Sequence, residues 1–417
     1  MKLSWQADRK MMKSSLQSEP DGHEKRSITL ASPSLIGSVN RLRILQALYD
    51  HGPMSRVEMA RLATVNRTTV TGIVQPLLAD GLLVEGDAVP PSVLGGKPAR
   101  RLFFNPGAPA IAAVLLLPGR IRTCLVTLTG EISAFYASSF SQSDTSEAVA
   151  ALIGDTLAKT LSEALHPPFG IGVAAGGMVD SDRGVIVTVN LAPALNNLAL
   201  ADRLWTRFKL PATIDHHPRA LLLGDRWFGL GRGLHNFAAI YTGEVLGGAL
   251  YLDGQVYRGL SGSGGELGHT IVQIDGNLCN CGNRGCWETV ATLSWLRAEA
   301  RSRGFDAPDT LTTRRLLALI ADGVAEAEVL LDRYARNLAV GIANLQQTMS
   351  PNEFVLHGDA AAGGETLAVR IKQHVESLTR PRPNQEIHIV MNHGNEDHVA
   401  LKGAAGLVLS KMLNPAM

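Results

Sequence analysis

Apolar residues recur at helical spacing from Leu35 through Ile36, Val39, Leu42, Ile44, Leu45 and Leu48, until Gly52-Pro53 ends the run. Ser55-Arg-Val-Glu58 has the form of a capping box and predicts a short helix with Val57, Met59, Ala60 and Leu62 on its inner side. After a tight Thr64-Val65 turn, Asn66 stands ready to cap a third helix beginning Arg67-Thr-Thr-Val. Pro76 should kink that helix near its end and leave its first turn intact. Leu82–Val84 and Arg101–Phe104 read as strands on either side of a Gly- and Pro-containing basic segment. Residues 34–105 therefore have the outline of a winged helix-turn-helix, whose last helix enters the major groove of double-stranded DNA N-terminus first. That turn offers Arg67, Thr68, Thr69 and Thr71; arginine can bridge guanine O6 and N7, and threonine brings a hydroxyl and a methyl. Residues 1–33 show no periodicity and read as a flexible tail.

Past the linker Asn105–Pro109 the pattern changes. Strand-like runs cover 111–117 and 122–128, a helix is predicted over 145–165, and 170–180 reads as a buried strand running into a glycine turn. From about Asn236 the chain continues with strands at 237–241 and 246–252 and helices at 288–303, 310–321 and 324–349. A strand at 353–357, a helix at 363–378, a strand at 386–391 and a last helix at 396–412 complete an α/β alternation.

Composition adds bounds. With 417 residues, 45% of them apolar and 18% charged, the chain suits two or three soluble domains. No apolar run approaches the ~20 residues that span a bilayer, and the charged first thirty residues lack a signal-like core, so a cytoplasmic location and no membrane are expected. Net charge divides unevenly: residues 1–105 hold 14 Lys+Arg against 9 Asp+Glu, and the remaining 25 against 29 leave the rest acidic. Basic charge thus gathers where DNA would bind.

Three of the four cysteines, Cys279, Cys281 and Cys286, fall within eight positions, and His269 lies ten residues before the first. Three thiolates and an imidazole complete a tetrahedral shell for structural zinc, with no position left open for chemistry. Gly282 and Gly285 supply the backbone freedom such a short loop needs.

Glu266-Leu-Gly-His269 followed by Cys279-x-Cys-Gly-x-x-Gly-Cys-x-Glu288 resembles, position for position, the signature of the ROK family of repressors, open reading frames and sugar kinases. The resemblance covers about 108–410, and the whole chain if the N-terminal unit is counted. It implies a two-lobed actin-like, ribonuclease H-like body, with lobes at 106–235 and 236–395 and the helix 396–412 packing back on the first. In the family's repressors a Gly-Arg-Pro-like wing follows the recognition helix; Gly96-Lys97-Pro98 stands in its place, with Arg100 and Arg101 beyond. The resemblance also implies a sugar or sugar-phosphate effector near Asn190, His216, His217, Glu266, His269 and Glu288. Two alternatives stay open: Glu266 and Glu288 either contact sugar or brace the metal loop, and His216, His217 and Arg219 either bind an anionic group or are ordinary loop residues.

Against kinase activity stand four departures from the family's kinases. The first phosphate hairpin reads Val114-Leu-Leu-Leu-Pro-Gly119 without its Asp; His216-His217 replace the Asn-Asp pair that supplies the base; Glu244 and Leu246 enter the second phosphate turn; and His357-Gly358 replaces Gly-Gly. Glu244 would repel a γ-phosphate ~4 Å away by roughly 4 kcal/mol before any metal compensates. The reading is a repressor of carbohydrate genes, a homodimer or homotetramer on operator DNA. The alternatives are a sugar kinase with an atypical base and an interaction protein that docks through its body.

Overall fold

The computed structural model describes residues 33–89, 99–262, 264–380 and 386–413. Most of the expected tail and Lys97 in the expected wing fall outside these residues. Helix α1 (Pro33–His51) ends at Gly52, which takes φ +76°. Strand β1 (Met54–Ser55) leads into α2 (Arg56–Leu62), α3 (Arg67–Ala79), β2 (Leu83–Val89) and β3 (Ala99–Phe104), with β3 central in the three-stranded sheet. The capping box forms: Ser55 Oγ accepts the Glu58 N–H at 3.3 Å, and Glu58 Oε2 accepts the Ser55 N–H at 2.8 Å. Asn66 Oδ1 caps α3 through the Thr69 N–H at 2.7 Å. Of the four residues expected inside α2, Met59 and Ala60 are buried, whereas Val57 and Leu62 are 46% and 41% exposed. The buried stripe runs 59, 60, 63, so Ala63 at the helix end takes the inner position instead. Helix α3 continues through Pro76 to Ala79.

The body is built on two five-stranded sheets. The first has the order β10-β7-β4-β5-β6, with β4 (Ile111–Leu117), β5 (Arg120–Val126) and β6 (Ile132–Ser139) antiparallel. Strands β7 (Ile171–Ala175) and β10 (Ala212–His216) lie parallel to β4. Helix α4 (Ser146–Ser162), the hairpin β8–β9 (Met178–Asp180, Val185–Thr188), α5 (Leu200–Phe208) and α6 (His217–Phe228) belong with it. The second sheet has the order β13-β12-β11-β14-β15, from β11 (Phe237–Thr242), β12 (Leu246–Leu252), β13 (Gln255–Val256), β14 (Glu353–Gly358) and β15 (His388–Met391). Helices α7 (Leu293–Ser302), α8 (Thr313–Ala321), α9 (Ala325–Met349) and α10 (Gly364–Leu378) complete it, before α11 (Glu396–Leu413). Helix 288–303 was expected one turn too early, because 287–289 forms a 3₁₀ turn of its own. β6, α5 and α6 had no counterpart in the sequence reading.

Helix α6 is buried at every residue from His217 to Trp227. A helix wrapped on all sides needs neighbours that come close, and glycines provide the room. A Cβ on Gly403 of α11 would sit 1.6 Å from the Ala220 carbonyl oxygen, and one on Gly224 would sit 2.3 Å from that of Val399. Helix α11 thus presses backbone on backbone against α6 and also lies on β4 and β7.

These contacts are with backbone, so they cannot yield by a rotamer change. Gly403→Ala should cost at least ~3 kcal/mol, or prevent folding. Gly72→Ala, where nothing lies within 4 Å of the added carbon, should stabilise by about 0.5–1 kcal/mol. Urea unfolding of both variants checks the pair; equal midpoints would contradict the packing account.

Candidate functional site

The first turn of α3 is presented to solvent. Arg67, Thr68 and Thr71 are exposed and Thr69 is half-buried, its N–H held by the Asn66 cap. The Thr71 hydroxyl donates to the Arg67 carbonyl at 2.9 Å, so its methyl and lone pairs are oriented by the helix. Arg100 and Arg101 are exposed on β3, and β3 pairs antiparallel with β2 in the same ribbon.

The metal-ligand candidates converge from a 3₁₀ turn carrying His269 and a tight loop carrying the cysteines. All four donor atoms lie within 4.8 Å of one another. His269 Nδ1 is 3.5 Å from Cys279 Sγ, and Cys281 Sγ is 3.6 Å from Cys286 Sγ. Bonds of ~2.1–2.3 Å to a central tetrahedral ion would give edges of about 3.4–3.8 Å, so the donors fit a metal. Gly285 is required here: at φ +73° a Cβ would lie 1.6 Å from the Gln273 carbonyl oxygen. Glu288 turns both oxygens inward, Oε2 accepting the Leu246 N–H at 3.1 Å and Oε1 lying 3.8 Å from Cys279 Sγ. It also lines, with Glu244, Asn277, Asn280, Ser294 and Trp295, a polar recess of about 280 Å³ beside the metal loop.

His216 closes β10 and His217 opens α6, with Pro218 in the first turn, where its missing N–H leaves no bond unmade. Burial holds His216 below its usual pKa against the opposing charge of Glu266. His217 is 4% exposed; its ring meets Tyr241 edge-on at 5.3 Å, and its Nε2 has no protein partner. Burial, reinforced by His216, His357 and Arg120, pushes its pKa down to about 3. Asn190 is exposed in the loop after β9.

Asp215, which the sequence reading passed over, is the centre of this region. It is fully buried and accepts from Arg219 at 2.6 Å, Arg258 at 2.7 Å, the Ser181 hydroxyl at 2.8 Å and the His216 N–H at 2.8 Å. Burial alone would raise its pKa, but Arg258 and Arg219 outweigh it and hold the carboxylate below its ordinary range. Arg219 Nη2 donates to the Gly262 carbonyl and, at 2.9 Å, to the Gly264 carbonyl. Its position four residues after Asp215, across the junction of β10 and α6, carries no local mark of the pairing. Glu244, expected to face a phosphate, is 62% exposed and paired with Arg297 at 2.7 Å. That pairing places a positive charge beside the carboxylate and reduces the repulsion expected of an isolated charge.

Comparison with known proteins matches the ROK family over residues 119–411 and the MarR family over residues 38–84. The chain is 25% identical over 400 residues to the xylose repressor of Caldicellulosiruptor bescii, covering 92% of this chain and 99% of that protein. It is 31% identical over 279 residues to a glucokinase of Halalkalibacterium halodurans, covering 63% of this chain and 84% of the glucokinase. Among solved structures, a ROK family transcriptional regulator described as a homolog of the E. coli MLC protein superposes with a TM-score of 0.74 at 25% identity. The match spans 91% of this chain and 99% of that one. The N-terminal winged helix and the two-lobed actin-like body agree with these matches.

The depressed His217 pKa has a pH consequence. The folded state keeps the ring neutral down to about 3, whereas the unfolded chain takes up a proton below about 6.5. Stability is therefore lost as pH falls through that window. His217 alone should remove about 1.5–2 kcal/mol between pH 6.5 and pH 5, and His217→Asn should abolish that slope. Urea unfolding of both proteins at the two pH values measures it; parallel slopes would show that the ring is not held neutral.

Proposed function

The chain belongs to the ROK family, and from that premise we propose that it is a transcriptional repressor of carbohydrate-metabolism genes, answering to a sugar or sugar phosphate. The observation that carries the reading is the exposed first turn of α3 in a winged helix, joined to the body over a length that a named repressor matches at 92% of this chain. The named glucokinase matches 63%. Residues 34–105 form the DNA-binding unit in this reading, with Arg67, Thr68, Thr69 and Thr71 in the major groove and Arg100, Arg101 and Lys97 at the wing. The lobes are 106–235 and 236–395. One helix-turn-helix reads a half-site, so the working form is a homodimer or homotetramer. Among the described residues, no helix is long and apolar enough to cross a membrane.

His269, Cys279, Cys281 and Cys286 hold a structural zinc in this proposal. Its ligand set leaves no open position, so the ion braces the wall of the effector cleft, and Glu288 supports it from behind. The effector lies among Asn190, His216, His217, Glu266 and His269. The kinase alternative loses ground at His217. A ring whose conjugate acid has a pKa of about 3 is a poor acceptor for the proton of an attacking hydroxyl at neutral pH. That argument replaces the one from Glu244, whose charge is already matched by Arg297.

Freshly purified protein should contain one zinc per chain by elemental analysis, and Cys281→Ser should lose it and expose the loop to protease. Metal-free protein with an intact loop would count against the zinc assignment.

On a duplex selected from random sequence by the wild-type protein, Arg67→Ala should weaken binding by about 1–3 kcal/mol and relax preference at one base position. Lys97→Ala should act evenly across sequences and reduce the salt slope. A coupled assay at millimolar ATP should show no ADP release with glucose, xylose or N-acetylglucosamine. Sugar-dependent turnover abolished by His217→Ala would overturn the repressor-only reading.

A further inference from the structure

Helix α6 carries a buried arginine–carboxylate joint at each end. The first is Asp215 with its three side-chain donors. Ser181 comes from the β8–β9 hairpin of the first lobe, Arg219 from α6 itself, and Arg258 from the loop after β13 in the second lobe. Arg219 extends the joint to the carbonyls of Gly262 and Gly264. One carboxylate thus ties together the pieces of chain beside His216, where the proposed effector would lie.

The second joint lies at the other end. Arg226, 2% exposed, donates twice to Asp50, at 2.6 and 3.0 Å, and Asp50 is the penultimate residue of α1 in the DNA-binding unit. Its guanidinium lies over the rings of Trp227 and Tyr251, at 5.4 and 5.6 Å. Around this pair, Asp50 also accepts the Gly233 N–H at 3.0 Å, and Arg232 donates to the Tyr49 carbonyl. The Tyr49 hydroxyl donates to the Leu128 carbonyl at 2.7 Å, and its ring packs on Phe104 and Trp227 at 4.2 and 5.0 Å. Next to Arg226, Asp225 binds His357 of β14 at 2.7 Å and Asn392 at 2.9 Å. Two consecutive residues of α6 therefore hold the DNA-binding unit and the second lobe.

Arg219 and Arg226 are seven residues apart, two turns along one face of the helix, or about 10 Å of axis. Between them α6 is buried throughout and pressed against α11 at Gly224 and Gly403. A helix held this way has no room to bend and moves as one piece. Removing one partner of such a buried pair leaves an uncompensated charge, so each joint is either made or broken, with little between.

We propose that α6 is the rod connecting the effector cleft to the DNA-binding unit, with Asp50 and Arg226 as positioning residues that make the placement of α1 depend on the state of the Asp215 joint. The proposal rests on the reading of the chain as a DNA-binding protein that responds to a ligand in this cleft. Coupling through a rod is reciprocal: loosening either end must be felt at the other.

Hydrogen–deuterium exchange on the full-length protein tests this without DNA or effector. Arg258→Gln removes only the partly exposed arm of the Asp215 joint. It should speed exchange of the amides of residues 44–51 at least fivefold, as should Asp215→Asn. Asp50→Asn should in turn speed exchange across residues 257–266 by a similar factor, and Arg226→Lys, which keeps the charge and loses the fork, should behave like it. Glu299→Gln, which breaks a surface ion pair with Arg333 on the second lobe, should change neither segment. Should Asp215→Asn fail to fold, Arg258→Gln and Asp50→Asn still decide the matter. Loosening of 257–266 in Arg258→Gln with wild-type exchange at 44–51 would overturn the proposal. Failure of the wild-type protein to select any duplex would instead sink the repressor reading and leave the exchange result standing by itself.

Discussion

Everything in the body hangs on the contact between α6 and α11, where two helices meet with main chain against main chain. Their glycines remove the side chains that would normally set the separation between packed helices, and the gain is a dense layer with almost no freedom to shear. The cost is that polar groups on α6 cannot reach water. Arg219, Asp225, Arg226 and His217 are all buried, and all but His217 have strong internal partners. These partners come from five different places in the chain: β10, α1, β14, the loop after β13 and Asn392 just past β15. A helix that must satisfy its charges through distant segments becomes, by that necessity, the place where those segments are held in register.

The same constraint separates the two halves of the functional reading. At the metal loop the chemistry is local: ligands, glycines and bracing carboxylate lie within 23 residues, and their geometry follows from spacing. Around Asp215 it is not local. Asp215 is surrounded by donors whose sequence separations are 34, 4 and 43 residues. Tight local loops suit a structural ion; a joint assembled from remote pieces suits a site whose state must be communicated.

This difference also explains what could be read from the sequence. The capping box at Ser55–Glu58, the Asn66 cap, the strand Ile111–Leu117 and the cysteine loop announce themselves because each obeys a short-range rule. Helix α6 was invisible for the opposite reason. Its polar residues, Arg219, Asp225 and Arg226 among them, are turned inward, so a polar pattern that normally marks a solvent face is misleading, and His216-His217-Pro218-Arg219 looks like a surface loop. Asp50 and Arg226 are 176 residues apart and carry no local mark of their pairing. Val57 and Leu62 misled in a smaller way, since seven residues of helix are too few for hydrophobicity alone to say which side faces in.

Helix α11 follows every other described element in sequence, yet it covers β4, β7 and α6. A ribosome adding about 5–20 residues per second needs on the order of 10–40 s after finishing β10 before α11 emerges. During that interval the strands Ile111–Leu117 and Ile171–Ala175 keep one apolar side bare, and Tyr49 and Phe104 at the base of the DNA-binding unit, which share one core with Trp227 and α11, wait for the same helix. The DNA-reading end of the molecule is thus seated on the body only once α11 has been made. In the nascent chain, the reader waits on a helix synthesised about 300 residues after it.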